Sequence, residues 1–279
     1  MSTTDFSRKG SLQIINVEKI LRMGSFYVAQ ARIRNIWQWK WSVLGEAVAN
    51  PMFYLLSIGI GIGKIVNSHQ SVGVDGVKYL TFLAPALLAA TCIQGAVGEA
   101  THPVLEGFKW AKGFFAMNAT PITGEQIANG VLFGAMARVT FGCVIYYTAL
   151  YSFGAVHGLH TLWLIPMTLF AANSFAVLMM GICAAIKNDD LFLNMVQRFL
   201  IMPLFLFSGT FYSLSSMPKF LQIIGWASPL WHATEVGRWI SYGHHISHGA
   251  LLFHFSYMTI MTIVGFKVSH HFFVKRLAK

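Results

Sequence analysis

A series of apolar blocks, each about as long as a bilayer is thick, limits this chain more than any other feature. A helix that crosses the hydrocarbon core needs about 20 mostly apolar residues, and residues 41–63, 79–104, 127–152, 159–186, 191–212 and 250–267 supply blocks of about that length. Charged residues make up only 11% of the 279-residue chain and hydrophobic ones 55%. Soluble domains carry roughly 25% charged residues, so an ordinary soluble protein is excluded. The fold class read from these blocks is an all-α integral membrane protein with six transmembrane helices over residues 41–279, preceded by a cytoplasmic or interfacial segment, 1–40.

The N-terminal segment has no uninterrupted apolar run and holds Arg8, Lys9, Lys19, Arg22, Arg32, Arg34 and Lys40, so it is not a cleavable signal peptide. Residues 12–23 and 26–40 each mix apolar and basic positions in the manner of amphipathic interfacial helices. Trp37, Trp39 and Trp41 mark the headgroup level where the first span begins. An even number of spans puts both termini on one side. With that side cytoplasmic, Lys109, Lys112, Lys187, Arg198, Lys267, Lys275, Arg276 and Lys279 join the seven basic residues above, and only Lys64, Lys78, Lys219 and Arg238 lie outside. This is the positive-inside pattern, and it accounts for the formal charge of +10 without a nucleic-acid partner.

Two connections carry more structure than a loop needs. Residues 213–249 are too apolar for one, yet Pro218, Gly225, Pro229 and Gly237 divide them into pieces shorter than a crossing. A pair of re-entrant or interfacial half-helices near the outer surface fits. On the inner side, residues 106–121 (EGFKWAKGFFAMNATP) have the composition of a short amphipathic helix. It either rests on lipid or inserts into a partner.

Ionisable groups within spans are costly, which makes Glu46, Glu99, Arg138 and Glu235 candidate functional positions. Glu99 or Glu46 is the expected partner of Arg138. As coupling residues, Glu46, Glu99 and Arg138 would suit an ion-coupled secondary transporter, although interrupted helices occur in only one half of the chain where that class expects two. The segment Gly59-Ile-Gly-Ile-Gly-Lys64 fails as a phosphate loop on both spacing and context. Gly59 with Gly63, and Gly130 with Gly134, read instead as GxxxG helix contacts. His244 and His248 are spaced for one helix face, without the acidic or cysteine partners of a metal site, and read as interfacial. Cys92, Cys143 and Cys183 lie in apolar blocks. No catalytic motif is present, so the chain is not read as an enzyme, and no cofactor or metal is expected in it.

Residues 202–238, MPLFLFSGTFYSLSSMPKFLQIIGWASPLWHATEVGR, resemble the type-2 ABC exporter permeases, especially the branch of nodulation-factor and daunorubicin-resistance membrane subunits. The match runs through a fifth span ending F-x-S-G-x-F-[YF], a short helix, and a [NS]-P-L-x-[HY]-x-x-[DE]-x-x-R segment. Ser213 and Ser228 stand where proline and asparagine are common. Tyr79-Leu-Thr-Phe-Leu-Ala-Pro85 is similar to the opening of the family's second span, and residues 106–121 fall where the family carries its coupling helix. The resemblance implies a half-transporter in a bacterial inner membrane, both termini cytoplasmic, paired with a second copy or a paralogue. It also implies two cytoplasmic ATPase subunits, which hold the ATP and magnesium. The cargo implied is amphipathic: a polysaccharide, lipid-linked glycan or drug. By the same resemblance Glu106, Lys109, Trp110, Phe114, Phe115 and Pro121 couple to the ATPase, and Phe207, Ser208, Gly209, Phe211, Tyr212, Pro229, Glu235 and Arg238 form an outer gate. Trp37, Trp39, Trp41, Glu46, Glu99 and Arg138 are the candidate substrate pathway.

Overall fold

Apolar blocks that must satisfy their own backbone groups in lipid have helix as their simplest solution, and a computed structural model shows helices throughout. It describes residues 17–62, 74–186, 191 and 195–278, and among these no strand occurs beyond one isolated bridge between Val74 and Val77. Expectations that fall on Arg8, Lys9, residues 12–16, Gly63, Lys64, Lys187 and Lys279 lie outside the described residues.

In chain order, α1 is Val17–Gln38 and α2 is Lys40–Tyr54, which continues in wider π turns through Leu55–Ile62. Helix α3, Tyr79–Leu105, also widens into π turns at Glu106–Trp110; α4 is Gly113–Asn118 and α5 is Gly124–Ser152. A 3-10 turn at Leu159–Trp163 leads into α6, Leu164–Ala185. After it come π turns at Val196–Ile201, α7 at Met202–Phe207, α8 at Lys219–Trp226, α9 at Pro229–Tyr242 and α10 at His248–Leu277.

Among the described residues, four helical stretches are long and apolar enough to cross a membrane: Tyr79–Trp110, Gly124–Ser152, Leu159–Ala185 and His248–Leu277. They match four of the six expected spans. The stretch Arg198–Phe207 within the expected fifth is apolar but shorter, and the expected first span is helical over its described part.

Local signals set the helix ends. Thr123 and Gln126 form a reciprocal capping box at the start of α5, Ser228 caps α9 with Pro229 in its first turn, and Ser247 caps α10. Gly243, at φ 76°, terminates α9 in the left-handed conformation that glycine adopts without strain. His244 therefore sits in a non-helical link while His248 opens α10, so the two histidines do not share a helix face.

Helices α3 and α6 form the interior and α10 the periphery. Small residues set the closest approaches. A methyl group on Gly181 of α6 would lie 2.8 Å from the Ser269 nitrogen of α10, and one on Gly265 would lie 2.8 Å from the Leu178 nitrogen. On the other side of the bundle, α1 lies on α5 at the Gly130–Gly134 spacing. A β-carbon on Gly130 would come within 2.4 Å of Val28 Cβ, and one on Gly134 within 2.6 Å of Arg32 Cγ. The expected GxxxG contact thus receives the N-terminal helix. The two amphipathic pieces expected at 12–23 and 26–40 join, over residues 17–38, into the one helix α1, and Lys40 opens α2.

The polar links between helices collect at two ends. One end holds the start of α1, α4, and the C-termini of α6 and α10. There Phe108, Phe114 and Phe273 pack edge-on or tilted with ring centres within 5.6 Å, Asn118 donates to the Leu277 carbonyl, and Arg276 donates to the carbonyls of Ala184 and Ile186 at the end of α6. The other end holds Asp75, residues 153–163, the turn after α7, and α8 with α9. Residue Tyr79 donates to the Phe211 carbonyl there, at 3.2 Å.

Candidate functional site

Between α1, α2, α3 and α5 lies a cavity of about 620 Å³ whose walls include Arg32, Glu46, Glu99, Glu106 and Arg138. Four of these form one chain of ion pairs. Arg138 pairs with Glu99 through Nη1 and with Glu46 through Nη2, the latter at 2.8 Å, and Arg32 Nη2 reaches the other Glu99 oxygen at 3.5 Å. The sequence left Arg138 with two candidate partners, and it takes both. Glu99 is enclosed, with its side chain 13% exposed, whereas Glu46 is 61% exposed. Four helices meet in this chain of charge. Charges at such depth persist only when paired, and here each guanidinium has a carboxylate.

Arg32 was not singled out from the sequence, where it is one of seven basic residues ahead of the first span. Its position follows from the seating of α1: Gly134 has no side chain, Arg32 lies over it, and the guanidinium then extends to α3. Farther from the charges the cavity wall becomes small and neutral, at Thr91, Gly95, Gly142 and Cys143. Trp110 stands on the wall nearest the α4 end, 56% exposed. Trp37, Trp39 and Trp41 do not line the cavity. They are exposed at the junction of α1 and α2, with the Lys40 ammonium 5.6 Å from the Trp37 ring and 5.9 Å from that of Trp41.

The second constellation is at the opposite end and unites the two halves of the 202–238 motif. Arg238 of α9 is almost wholly buried. Its guanidinium donates to Glu235 at 3.0 Å and to the Gly209 carbonyl at 2.7 Å, and it lies 3.8 Å from the centre of the Phe82 ring. Gly209, at φ 71°, turns the chain after α7 so that this carbonyl points at the arginine. Ser208 donates to the Ser228 hydroxyl at 2.6 Å, which itself caps α9 by accepting from the Leu230 N–H. The turn Phe207–Tyr212 is closed from the α8 side, where Gly225 rests against the Phe207 carbonyl and Leu214. Phe211 packs edge-on to Phe205, Tyr212 donates to the Leu206 carbonyl, and Pro229 is buried at the start of α9.

Asp75 and Tyr242, which the sequence did not flag, and His244, read there as interfacial, extend this network. His244 contacts Asp75 through Nδ1 at 2.5 Å and Glu235 through Nε2 at 3.5 Å, and Tyr242 donates to the same Asp75 oxygen at 2.9 Å. Burial pushes the Tyr242 phenol well above its ordinary range, so it stays a donor. Among the described residues no group of three metal-ligating side chains is placed to hold an ion.

Residues 106–121 prove to be two pieces rather than one amphipathic helix. The extension of α3 ends at Trp110, Lys112 adopts a positive φ of 53°, and α4 follows. Phe114 points inward to Phe108 and Phe273, whereas Glu106, Trp110, Phe115 and Pro121 are exposed. Lys109 is half-buried.

With this geometry in hand, comparison with known proteins decides the family. The profile of the ABC-2 type transporter family matches residues 25–242. The chain belongs to that family. Nodulation protein J of Rhizobium leguminosarum bv. viciae is 26% identical over 249 residues, covering 88% of this chain and 93% of the relative. The protein of the same name from Rhizobium meliloti is 25% identical over 248 residues, 88% of this chain and 91% of its own. The inner membrane transport permease YadH of Escherichia coli is 25% identical over 188 residues, 66% of this chain and 71% of the relative. The family match spans the charged cavity, the 106–121 segment and, except for His244, the motif network, and with the long apolar helices it makes this ABC-2 type transporter a multi-pass membrane protein.

Proposed function

We propose that this chain is the membrane-spanning permease subunit of an ABC exporter in a bacterial inner membrane. It works with a second copy or a paralogue and is driven by two cytoplasmic ATPase subunits that bind ATP and magnesium. The observation that carries the reading is the family match over residues 25–242, supported by relatives named as a nodulation protein and as an inner membrane transport permease. The same match weighs against the ion-coupled carrier.

In this reading the blocks 41–63 and 191–212 are the first and fifth of six crossings, and residues 213–249 are re-entrant. The end that gathers Lys109, Lys112, Lys275 and Arg276 faces the cytoplasm, as the distribution of positive charge favours, so both termini are cytoplasmic. Trp110 and Phe115 are the apolar surface offered to the ATPase, while Phe114 anchors that surface to α10. The cargo is amphipathic: a polysaccharide, lipid-linked glycan or drug.

A permease of this kind performs no chemistry; it must bind cargo differently in two states that nucleotide interconverts. The ion-pair chain suits that role, because motion of α1 or α3 driven from the ATPase side changes the pairing of Glu99 and with it the shape of the cavity. The outer network holds α9 against the turn after α7 and closes the exit.

The test is co-expression with the ABC ATPase proposed as its partner. The chain should recruit the ATPase to membranes and change its rate of ATP hydrolysis. Trp110→Glu combined with Phe115→Glu should reduce both effects about tenfold without altering the permease's thermal stability. An ATPase whose recruitment and turnover ignore this chain overturns the reading.

A further inference from the structure

The cavity between α1, α2, α3 and α5 has an unbalanced and unevenly engaged set of charges. Its lining contains two guanidinium groups, Arg32 and Arg138, and the imidazole of His102, against three carboxylates, Glu46, Glu99 and Glu106. Arg138 spends both terminal nitrogens on Glu99 and Glu46, and Arg32 is turned to Glu99. An anion entering here would approach carboxylates and find Arg138 fully engaged; Arg32 is paired through one terminal nitrogen, and its Nε, which has no partner, is buried out of reach. Glu46 and Glu106 are the exposed members of the set, so an entering ammonium would find accessible oxygens.

Two further features point the same way. Trp110 is exposed on the cavity wall beside Glu106, and the face of an indole attracts cations. Beyond the charges, Gly95, Gly98 and Gly142 leave open space, with no atom within 4 Å of where a β-carbon would sit. The volume of about 620 Å³ lies within the roughly 300–1,000 Å³ of small-molecule sites. That suits one polar head rather than a length of polymer.

We propose that this cavity loads the polar head of the transported amphiphile and selects an amine-bearing head over one bearing phosphate. This assignment rests on the permease reading above and adds the chemistry of the cargo.

The test uses the intact chain in phosphatidylcholine nanodiscs with three probes that share a dodecyl tail: dodecylamine, dodecyl maltoside and dodecyl phosphate. Protein-dependent binding, measured against empty nanodiscs, should be at least tenfold tighter for the amine than for the phosphate, with the maltoside between. Glu46→Gln with Glu106→Gln should remove most of that preference. Gly142→Leu, which fills open space, should abolish protein-dependent binding of all three probes while leaving the unfolding temperature unchanged. If that variant does not fold, Gly95→Leu serves the same purpose. Equal or tighter binding of the phosphate, or amine binding that survives a folded cavity-filling variant, overturns the assignment.

ATPase recruitment is measured separately. A chain that recruits the ATPase but shows no amine preference defeats the cargo assignment alone. One that prefers the amine but recruits no ATPase defeats the permease reading.

Discussion

Arg238 holds the carbonyl of Gly209, 29 residues earlier in the chain, at 2.7 Å. The arginine is on α9 and the glycine in the turn after α7, so this one hydrogen bond joins the two halves of the motif. The same guanidinium binds Glu235 and covers the Phe82 ring of α3. A planar group with several donors can serve these partners together, and an ammonium cannot.

Arg238→Ala should therefore leave a partly buried carboxylate and a buried carbonyl without their partner. Breaking a buried pair from one side destabilises by about 3–5 kcal/mol. A fall of that order is expected in the stability of the purified protein, read as its thermal unfolding in detergent, and Arg238→Lys should recover less than half. An Ala variant as stable as the parent would show that the network does not hold α9 in place.

Glu99 and Glu46 both pair with Arg138, but their surroundings differ. Glu99 is enclosed and also receives Arg32, whereas Glu46 is largely exposed. Replacing Glu99 with Gln strips two guanidinium groups of their common partner, and the expected loss is about 3 kcal/mol or more. Glu46→Gln breaks a pair screened by solvent and should cost under about 1 kcal/mol. Arg32→Gln should make the Glu99→Gln defect smaller, because the two residues share one interaction. Equal effects from Glu46→Gln and Glu99→Gln would contradict this arrangement.

Much of this was legible in the apolar blocks because length and hydropathy alone decide whether a helix can cross a membrane. Four expected spans are matched for that reason. The pairing of Arg138 with acidic residues was legible too, since an intramembrane arginine has few alternatives. The inward turn of Phe114 was not, because Phe114 and Phe115 are equivalent in hydropathy and only the break at Lys112 decides which is buried against Phe108 and Phe273. Arg32 and Asp75 were missed for a related reason. Nothing local distinguishes them from other polar residues of a surface segment until α1 is laid on Gly130 and Gly134 and Asp75 is brought under Tyr242 and His244.

The seating of α1 on α5 can be tested directly. Gly130 has Val28 Cβ and the Ser25 carbonyl within 2.7 Å of a prospective β-carbon, while Gly142 on the same helix has only open space. Gly130→Val should lift α1 from α5, since overpacking of this kind costs typically 1–3 kcal/mol. Trypsin cleavage after Arg22, Arg32 and Arg34 should then accelerate severalfold, and Gly142→Ala should leave it unchanged. Uniform cleavage in both variants would mean that α1 is not held by this groove.

The last prediction concerns acid. His232 of α9, outside the four long spans, is buried against His254, with their Nδ1 atoms 2.7 Å apart, while its Nε2 meets the Trp226 carbonyl at 3.1 Å. The carbonyl can only accept, so Nε2 carries the proton and Nδ1 of neutral His232 accepts from His254. A second proton would fall between the two rings. Burial first, and His254 second, lower the His232 pKa from 6.5 to about 4. The unfolded chain therefore binds this proton more readily, and stability that is fully present above pH 6.5 is lost as pH falls toward 4. The loss is on the order of 3 kcal/mol at full effect. His232→Asn, whose amide can still meet the Trp226 carbonyl but cannot take up a proton, should flatten the dependence of unfolding temperature on pH between 6.5 and 4. An equally steep profile in the variant would place the acid sensitivity elsewhere in the protein.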